Sequence, residues 1–456
     1  MTSAKHTSPP TSADGFPVLD PRVAGIDVGS EQHWVCAPAS TGLGRDVAVF
    51  DATTPGLQQL AAWLHARHVR SVALESTGVY WIPVHEVLEA QGFDVVLVDT
   101  RTLGRVPGRT KSDRRDCEWI QRLHSCGLLR GAFRPGPQVC MLRTLVRDRA
   151  TLVAERADWV RRLQKSLDQM NVRIHRAVSD LDGVTGLAML RAIVAGERDP
   201  HQLATLRDPR CHKSEAEIAE QLTGHWRDDH LFALGQGLKM YDALTDTLTA
   251  YDREILRQLE AMSRADSPAD PPPTNRAKAK GIKARGEDPL RRALYRMSGV
   301  DLTTIDALGV ATVSVVLSEY GADLTRFPTE QQFVSHVGLA PHTPISGGKV
   351  LKRKRKPGSA SARVGAALRM AALTMRHSQT ALGGYYRQIA RRAGADVAVF
   401  ATARKLAQLI YRLLRWGQPY LDEGATAYEK RYREARVHRL AATAKDLGYT
   451  LVSAEA

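Results

Sequence analysis

No run of about 18 consecutive apolar residues occurs in this 456-residue sequence, so no segment is suited to crossing a bilayer as a helix. The opening stretch, MTSAKHTSPPTSADGFPVLD, is polar and proline-bearing and lacks the apolar core of a signal peptide. Cysteine is scarce and scattered. Cys36, Cys117, Cys126, Cys140 and Cys211 form no C-x-x-C pair and have no histidines at matching spacing. Neither a zinc site nor a disulfide framework is indicated, and the thiols are expected to be reduced and structural. There is no internal repeat of long period. The expectation is a cytoplasmic protein without a membrane partner.

What is present is an ordinary globular composition, 43% hydrophobic, in a chain long enough for two or three domains. The formal net charge of +15 makes the summed field attractive to polyanions, so nucleic acid is the first partner to consider.

After a flexible lead (1–22), the pattern predicts a domain over 23–130. VAGIDV, HWVCAPA and DVAVF read as three strands. A helix LQQLAAWLHARH, a strand SVALES, a helix VYWIPVHEVLEAQ, a strand FDVVLVD and a helix SDRRDCEWIQRLHSCG follow. A β-meander followed by βα units predicts a mixed sheet flanked by helices. Over 139–262, Val146, Val153, Val160, Leu167 and Ile174 recur every seven residues, as do Leu234, Tyr241, Leu248, Ile255 and Met262. These predict coiled-coil helices that pair as a hairpin within one chain or as a seam between chains; Arg149 and Arg156 interrupt the companion stripe of the first. The stretch 263–289, rich in Pro, Lys and Ala, reads as a linker. A mostly helical C-terminal domain (290–381) and a basic helical tail (382–456) complete the chain.

Asp27 and Glu75 end predicted strands, and Asp113 and Asp116 stand three residues apart at the start of a helix, on one face of its first turn. Four carboxylates at one sheet edge repel one another unless cations neutralise them, and hard oxygen ligands suit Mg²⁺ or Mn²⁺. Two such ions can clamp the attacking and leaving oxygens of a phosphodiester exchange. Each motif also has a plainer meaning. GIDVGS also opens sugar kinases and actin-like ATPases, but these need a second glycine-rich phosphate loop, which is missing here. Asp113 alone reads as a helix-dipole residue.

In the C-terminal domain, RMSGVDLTTIDALGVATVSVVLSEYG resembles a helix-hairpin-helix element whose glycine turn opens a helix, a site where backbone N–H groups receive phosphates. Downstream, PISGGKVLKRKRKPGS sets Ser346 before Gly347 and Gly348, then adds Lys349, Lys352, Arg353, Lys354, Arg355 and Lys356. A serine needs a base, a metal or a cationic field to act as a nucleophile. Composition alone favours a solvated basic loop.

The acids of the first domain, a coiled coil, and G-L-A-P…SGGK…G…R…L in the last domain together resemble the DEDD transposases of insertion-sequence family one-ten, over nearly all of Val23 to Ala381. The resemblance implies an RNase H-like (RuvC-like) first domain in which Asp27, Glu75, Asp113 and Asp116 bind Mg²⁺. It implies that Ser346 attacks DNA to form a phosphoserine link, and that a noncoding guide RNA pairs with donor and target DNA. Homodimers that assemble into tetramers, with the acids of one subunit completing the site around the serine of another, are implied too. Lys111, Gly347, Gly348, Lys349 and the basic run 352–356 are then expected to contact nucleic-acid backbone. The alternative is a RuvC-like nuclease in which water attacks and Ser346 has no chemical role. Cys117 stands where the family more often has alanine, and the 263–289 stretch and the tail are longer than the family pattern.

Overall fold

A computed structural model describes residues 17–41, 44–76, 78–98, 112–265, 270–274, 276–340, 345–346, 349–350 and 360–452. The chain forms two compact units, 1–134 and 135–456.

The first unit is built on five strands, β1 (Val23–Val28), β2 (Gln32–Pro38), β3 (Arg45–Asp51), β4 (Ser71–Glu75) and β5 (Asp94–Val98). Their order in the sheet is β3-β2-β1-β4-β5. β1, β2 and β3 pair antiparallel, while β4 runs parallel to both β1 and β5. This is the mixed, RNase H-like sheet that the sequence predicts. Helices α1 (Thr54–His65) and α2 (Trp81–Ala90) cover one face, where Leu57, Leu60, Val84 and Leu88 pack on Ala24, Ile26, Val28, Val72 and Leu74. α1 begins before its first leucine because Thr53 accepts a hydrogen bond from the Gly56 amide and Pro55 fits the first turn. Helix α3 (Asp113–Ser125) lies on the other face, with Ile120 against Ala73 and Val98.

The second unit opens with α4 (Pro137–Gln169). The heptad pattern runs on to Ile174, but the helix ends earlier. Asn171 adopts φ +59°, and the amides of Asn171 and Val172 bond back to the carbonyls of Asp168 and Leu167, a Schellman closure. Helices α5 (Val184–Ala195), α6 (Pro200–Thr205) and α7 (Glu215–Leu222) then form a small core that includes Met189, Leu203 and Ile218. Helix α8 (Asp228–Ala261) returns along α4. The hairpin is antiparallel: Arg149 forks onto Asp252 (2.5 and 3.1 Å), Arg156 covers the Tyr241 ring, and Gly237 meets Leu163. Within this chain the two long helices thus pair as a hairpin.

Within 263–289, residues Arg276–Ala284 form a helix, α9, where the composition predicts a linker. Ala and Lys are good helix formers, and Lys278 anchors the helix by donating to the carbonyls of Thr303 and Ile305. Further helices are α10 (Asp288–Ser298), α11 (Val310–Tyr320), α12 (Glu330–His336), α13 (Ala360–Leu373), α14 (Ala381–Ala393), α15 (Ala395–Trp416) and α16 (Gly424–Asp446). Between α12 and α13, β6 (Ile345–Ser346) and β7 (Lys349–Val350) pair antiparallel. Among the described residues no helix is long and apolar enough to cross a membrane.

Candidate active site

Strand pleating decides which way the first two acids face. Ile26 and Leu74 are paired across β1 and β4 and point into the core under α1 and α2. One residue further along, Asp27 and Glu75 are therefore neighbours on the opposite face, the one that α3 covers. Both side chains are half-buried at the C-terminal end of a parallel strand pair.

Helix α3 brings the other two acids to the same edge. Its Gln121 side chain donates to the Val23 carbonyl at 3.2 Å, near the start of β1. Its backbone presses on Gly25 so closely that an added Cβ would lie 2.2 Å from the Gln121 nitrogen and 2.6 Å from the Cys117 oxygen. The charge of Asp27 is felt at Cys117. Residues 121, 117 and 113 thus step along β1 toward its end, so the first turn of α3 sits at the edge that carries Asp27 and Glu75. Ser112 caps that turn through the Arg115 amide; Asp116 is half-buried and Asp113 is exposed. Gly25 is the residue that sequence reasoning missed. A lone glycine inside an apolar strand was the available signal for close backbone approach.

Cys117 stands on this helix and Cys36 on β2. Both are fully buried, and burial pushes both thiols up to about 12, so they stay protonated and unreactive. All five cysteines, Cys36, Cys117, Cys126, Cys140 and Cys211, are free.

Four carboxylates offer only hard oxygen donors, a set that fits Mg²⁺ or Mn²⁺ rather than a soft metal. Among the described residues, no three His, Cys, Asp or Glu side chains are gathered closely enough to hold an ion. The fold brings the acids to one edge without closing them into a cage.

In the second unit Ser346 and Lys349 occupy paired positions of the β6–β7 ladder. Lys111, Gly347, Gly348, Lys352, Arg353, Lys354, Arg355 and Lys356 lie outside the described residues. The predicted glycine turn before α11 is formed: Ala307 takes φ +70°, and Gly309 starts the helix without a side-chain cap.

No curated protein matches the chain. Two family models do. Residues 24–172, which span the sheet, α3 and α4, match the DEDD transposase of IS110, described as Transposase. Residues 300–387, which include Ser346, match Transposase IS116/IS110/IS902 family. With the acids on the first matched segment and the serine on the second, in that order, the chain belongs to the IS110 family and is a DNA transposase.

Proposed function

We propose that this transposase exchanges DNA strands through a phosphoserine intermediate on Ser346, directed by a noncoding guide RNA. The observation that carries the reading is that Asp27 and Glu75, which follow the paired Ile26 and Leu74, lie on the α3 face, at the edge where Asp113 and Asp116 begin their helix, within a chain whose second family segment contains Ser346.

In the exchange, the Ser346 hydroxyl oxygen attacks a phosphodiester phosphorus. One P–O bond forms and one breaks, and the serine proton ends on the departing strand's oxygen. The phosphoserine ester retains the energy of the original diester, so a strand hydroxyl can attack it and restore a continuous backbone without an external energy source. Asp27, Glu75, Asp113 and Asp116 would hold Mg²⁺ or Mn²⁺, which when bound neutralises charge on the phosphate oxygens. Lys111, Lys349 and the run 352–356, with Gly347 and Gly348 permitting close approach, grip backbone phosphates. Those contacts read no bases, so base pairing with the guide RNA chooses donor and target. The +15 charge supports a large nucleic-acid load on each subunit. Subunits act in the cytoplasm as homodimers that pair into tetramers.

The test is to express the protein with its native element, purify it under denaturing conditions, and map DNA-modified peptides by mass spectrometry. A nucleotide adduct on Ser346 that vanishes in both Ser346→Ala and Asp27→Ala is expected. DNA nicking that persists in Ser346→Ala, with no adduct in wild type, would leave a water-using RuvC-like nuclease as the better account. Sequencing of RNA retained on the native complex tests guidance: without one discrete element-derived RNA, that part of the proposal fails.

A further inference from the structure

Ser346 is carried between two stems, α12 running through Val337 on one side and α13 on the other. The stems meet at a glycine. A Cβ on Gly365, in α13, would stand 2.9 Å from the Val337 carbonyl oxygen, so the two backbones are in direct contact. In sequence, Ser346 stands between the two residues of this joint, Val337 and Gly365.

The same joint is held from beneath by two adjacent residues at the end of α11. Tyr320 packs edge-on against Phe333 (5.4 Å) and His336 (5.7 Å), both on the first stem. Glu319, only 1% exposed, faces the second stem, where Arg363 comes to 4.0 Å. Glu319 is also gripped from α4. Arg147 forks onto its two oxygens at 2.8 and 2.7 Å, Arg143 approaches one of them at 3.1 Å, and Arg143 donates to the Glu319 carbonyl at 2.5 Å. One buried carboxylate thus gathers three guanidiniums from two helices.

Burying such charges is not an efficient way to gain stability, because well-packed apolar residues of the same volume serve equally well or better. What the Arg147 fork supplies is direction, since each Glu319 oxygen accepts along fixed lines and α11 cannot slide or rotate freely on α4, while Arg363 at 4.0 Å ties α13 to the same carboxylate by charge alone. A nucleophile needs that constraint, since a displacement of about 1 Å costs on the order of a hundredfold in rate.

We infer that Glu319 is a positioning residue for Ser346. Through Arg363 and the Gly365 joint it fixes the base of the serine segment relative to α4. The inference rests on Ser346 being the nucleophile. Glu319→Gln keeps the volume, removes the charge and leaves the three arginines to repel one another, so the joint loosens.

The experiment follows Ser346–DNA adduct formation over time on a supercoiled plasmid carrying the native element ends, with its RNA present. For Glu319→Gln the expected result is a rate constant at saturating DNA lower by about tenfold or more, at an unchanged half-saturating DNA concentration. A purely structural role would instead lower the fraction of binding-competent protein and leave the rate constant of the folded fraction alone. A wild-type rate constant in Glu319→Gln overturns the inference. Arg363→Gln, whose side chain is 37% exposed, decides the matter if Glu319→Gln does not fold: the same loss of rate is expected, and a full rate overturns the inference. Absence of any adduct in wild type overturns the serine reading itself and is seen before any variant is compared.

Discussion

Gly25→Ala tests the geometry of the acidic edge without touching an acid. The added methyl carbon would lie 2.2 Å from the Gln121 nitrogen, 2.6 Å from the Cys117 oxygen and 2.7 Å from the Gln121 Cα. Ordinary carbon contacts are about 3.5–4.0 Å, so α3 has to lift by roughly 1.3 Å or more. All three obstacles are backbone, which no rotamer change can relieve. Overpacking of this kind costs about 1–3 kcal/mol, and the rigid obstacles place this case near the upper figure. For a unit of 134 residues, each kcal/mol moves Tm by roughly 4 °C, so a fall of about 12 °C is expected. Asp113 and Asp116 ride on the lifted helix, whereas Asp27 and Glu75 stay in the sheet. A shift above 1 Å between the two pairs predicts a loss of about a hundredfold or more in Mg²⁺-dependent DNA cleavage. Thermal unfolding followed by circular dichroism, and plasmid cleavage below the lowered Tm, measure both effects. Gly136→Ala, where an added Cβ meets nothing within 4 Å, is the control. Wild-type Tm and wild-type cleavage in Gly25→Ala would refute the placement of α3 on β1, and with it the shared edge.

In the second unit, Arg291 and Asp301 form a buried pair (2.5 Å) in which Asp301 also accepts from the Thr303 amide and hydroxyl. Asp301→Ala leaves the guanidinium buried and uncompensated, and a loss of about 3–5 kcal/mol is expected in urea unfolding. Burial lowers the pKa of His33, His124 and His336, so the unfolded chain takes up protons below about pH 6.5 that the folded protein does not. Stability is therefore complete above that pH and falls on acidification, by up to about 1.4 kcal/mol per pH unit for each such group. Urea midpoints at pH 7.5 and 5.5 should show this, and His33→Phe should flatten the dependence. In α16 only Ala425 is buried, so ending the chain after Lys430 should change stability by less than about 0.5 kcal/mol, which calorimetry can check.

The order of elements in the first unit was legible because each carries its own period: alternation in VAGIDV and DVAVF, and helical spacing in LQQLAAWLHARH. The edge position of each acid was legible for the same reason, since Asp27, Glu75 and Asp113 all stand at predicted boundaries. What could not be read was register. That Ile26 pairs with Leu74, placing Asp27 beside Glu75 on the α3 face, depends on contacts 48 residues apart in sequence. The end of α4 was hidden for a local reason: the Asn171 closure overrides a hydrophobic repeat that continues beyond it. The α9 helix was hidden because its anchor, Lys278, finds its carbonyl partners about 25 residues downstream.

The two arginines that break the α4 stripe bear on how subunits meet. In a seam between chains, Arg149 and Arg156 would need partners from another subunit. Here Arg149 is matched by Asp252 and Arg156 by the Tyr241 ring, both on α8 of the same chain. The same register sets Gly237 opposite Leu163, letting the helices approach closely where the leucine is fully buried. Polar breaks in an apolar stripe specify one pairing by leaving every other with unmatched charge. The hairpin is thus specified within the chain by the same residues that weaken the heptad pattern. Val153, still 37% exposed midway along α4, is where the seam remains open on one side. Arg149→Leu is the discriminating change: it removes the intrachain match to Asp252 and one of the two polar breaks in the apolar stripe, so it should raise self-association in analytical ultracentrifugation. An unchanged sedimentation profile would show that Arg149 does not restrict pairing.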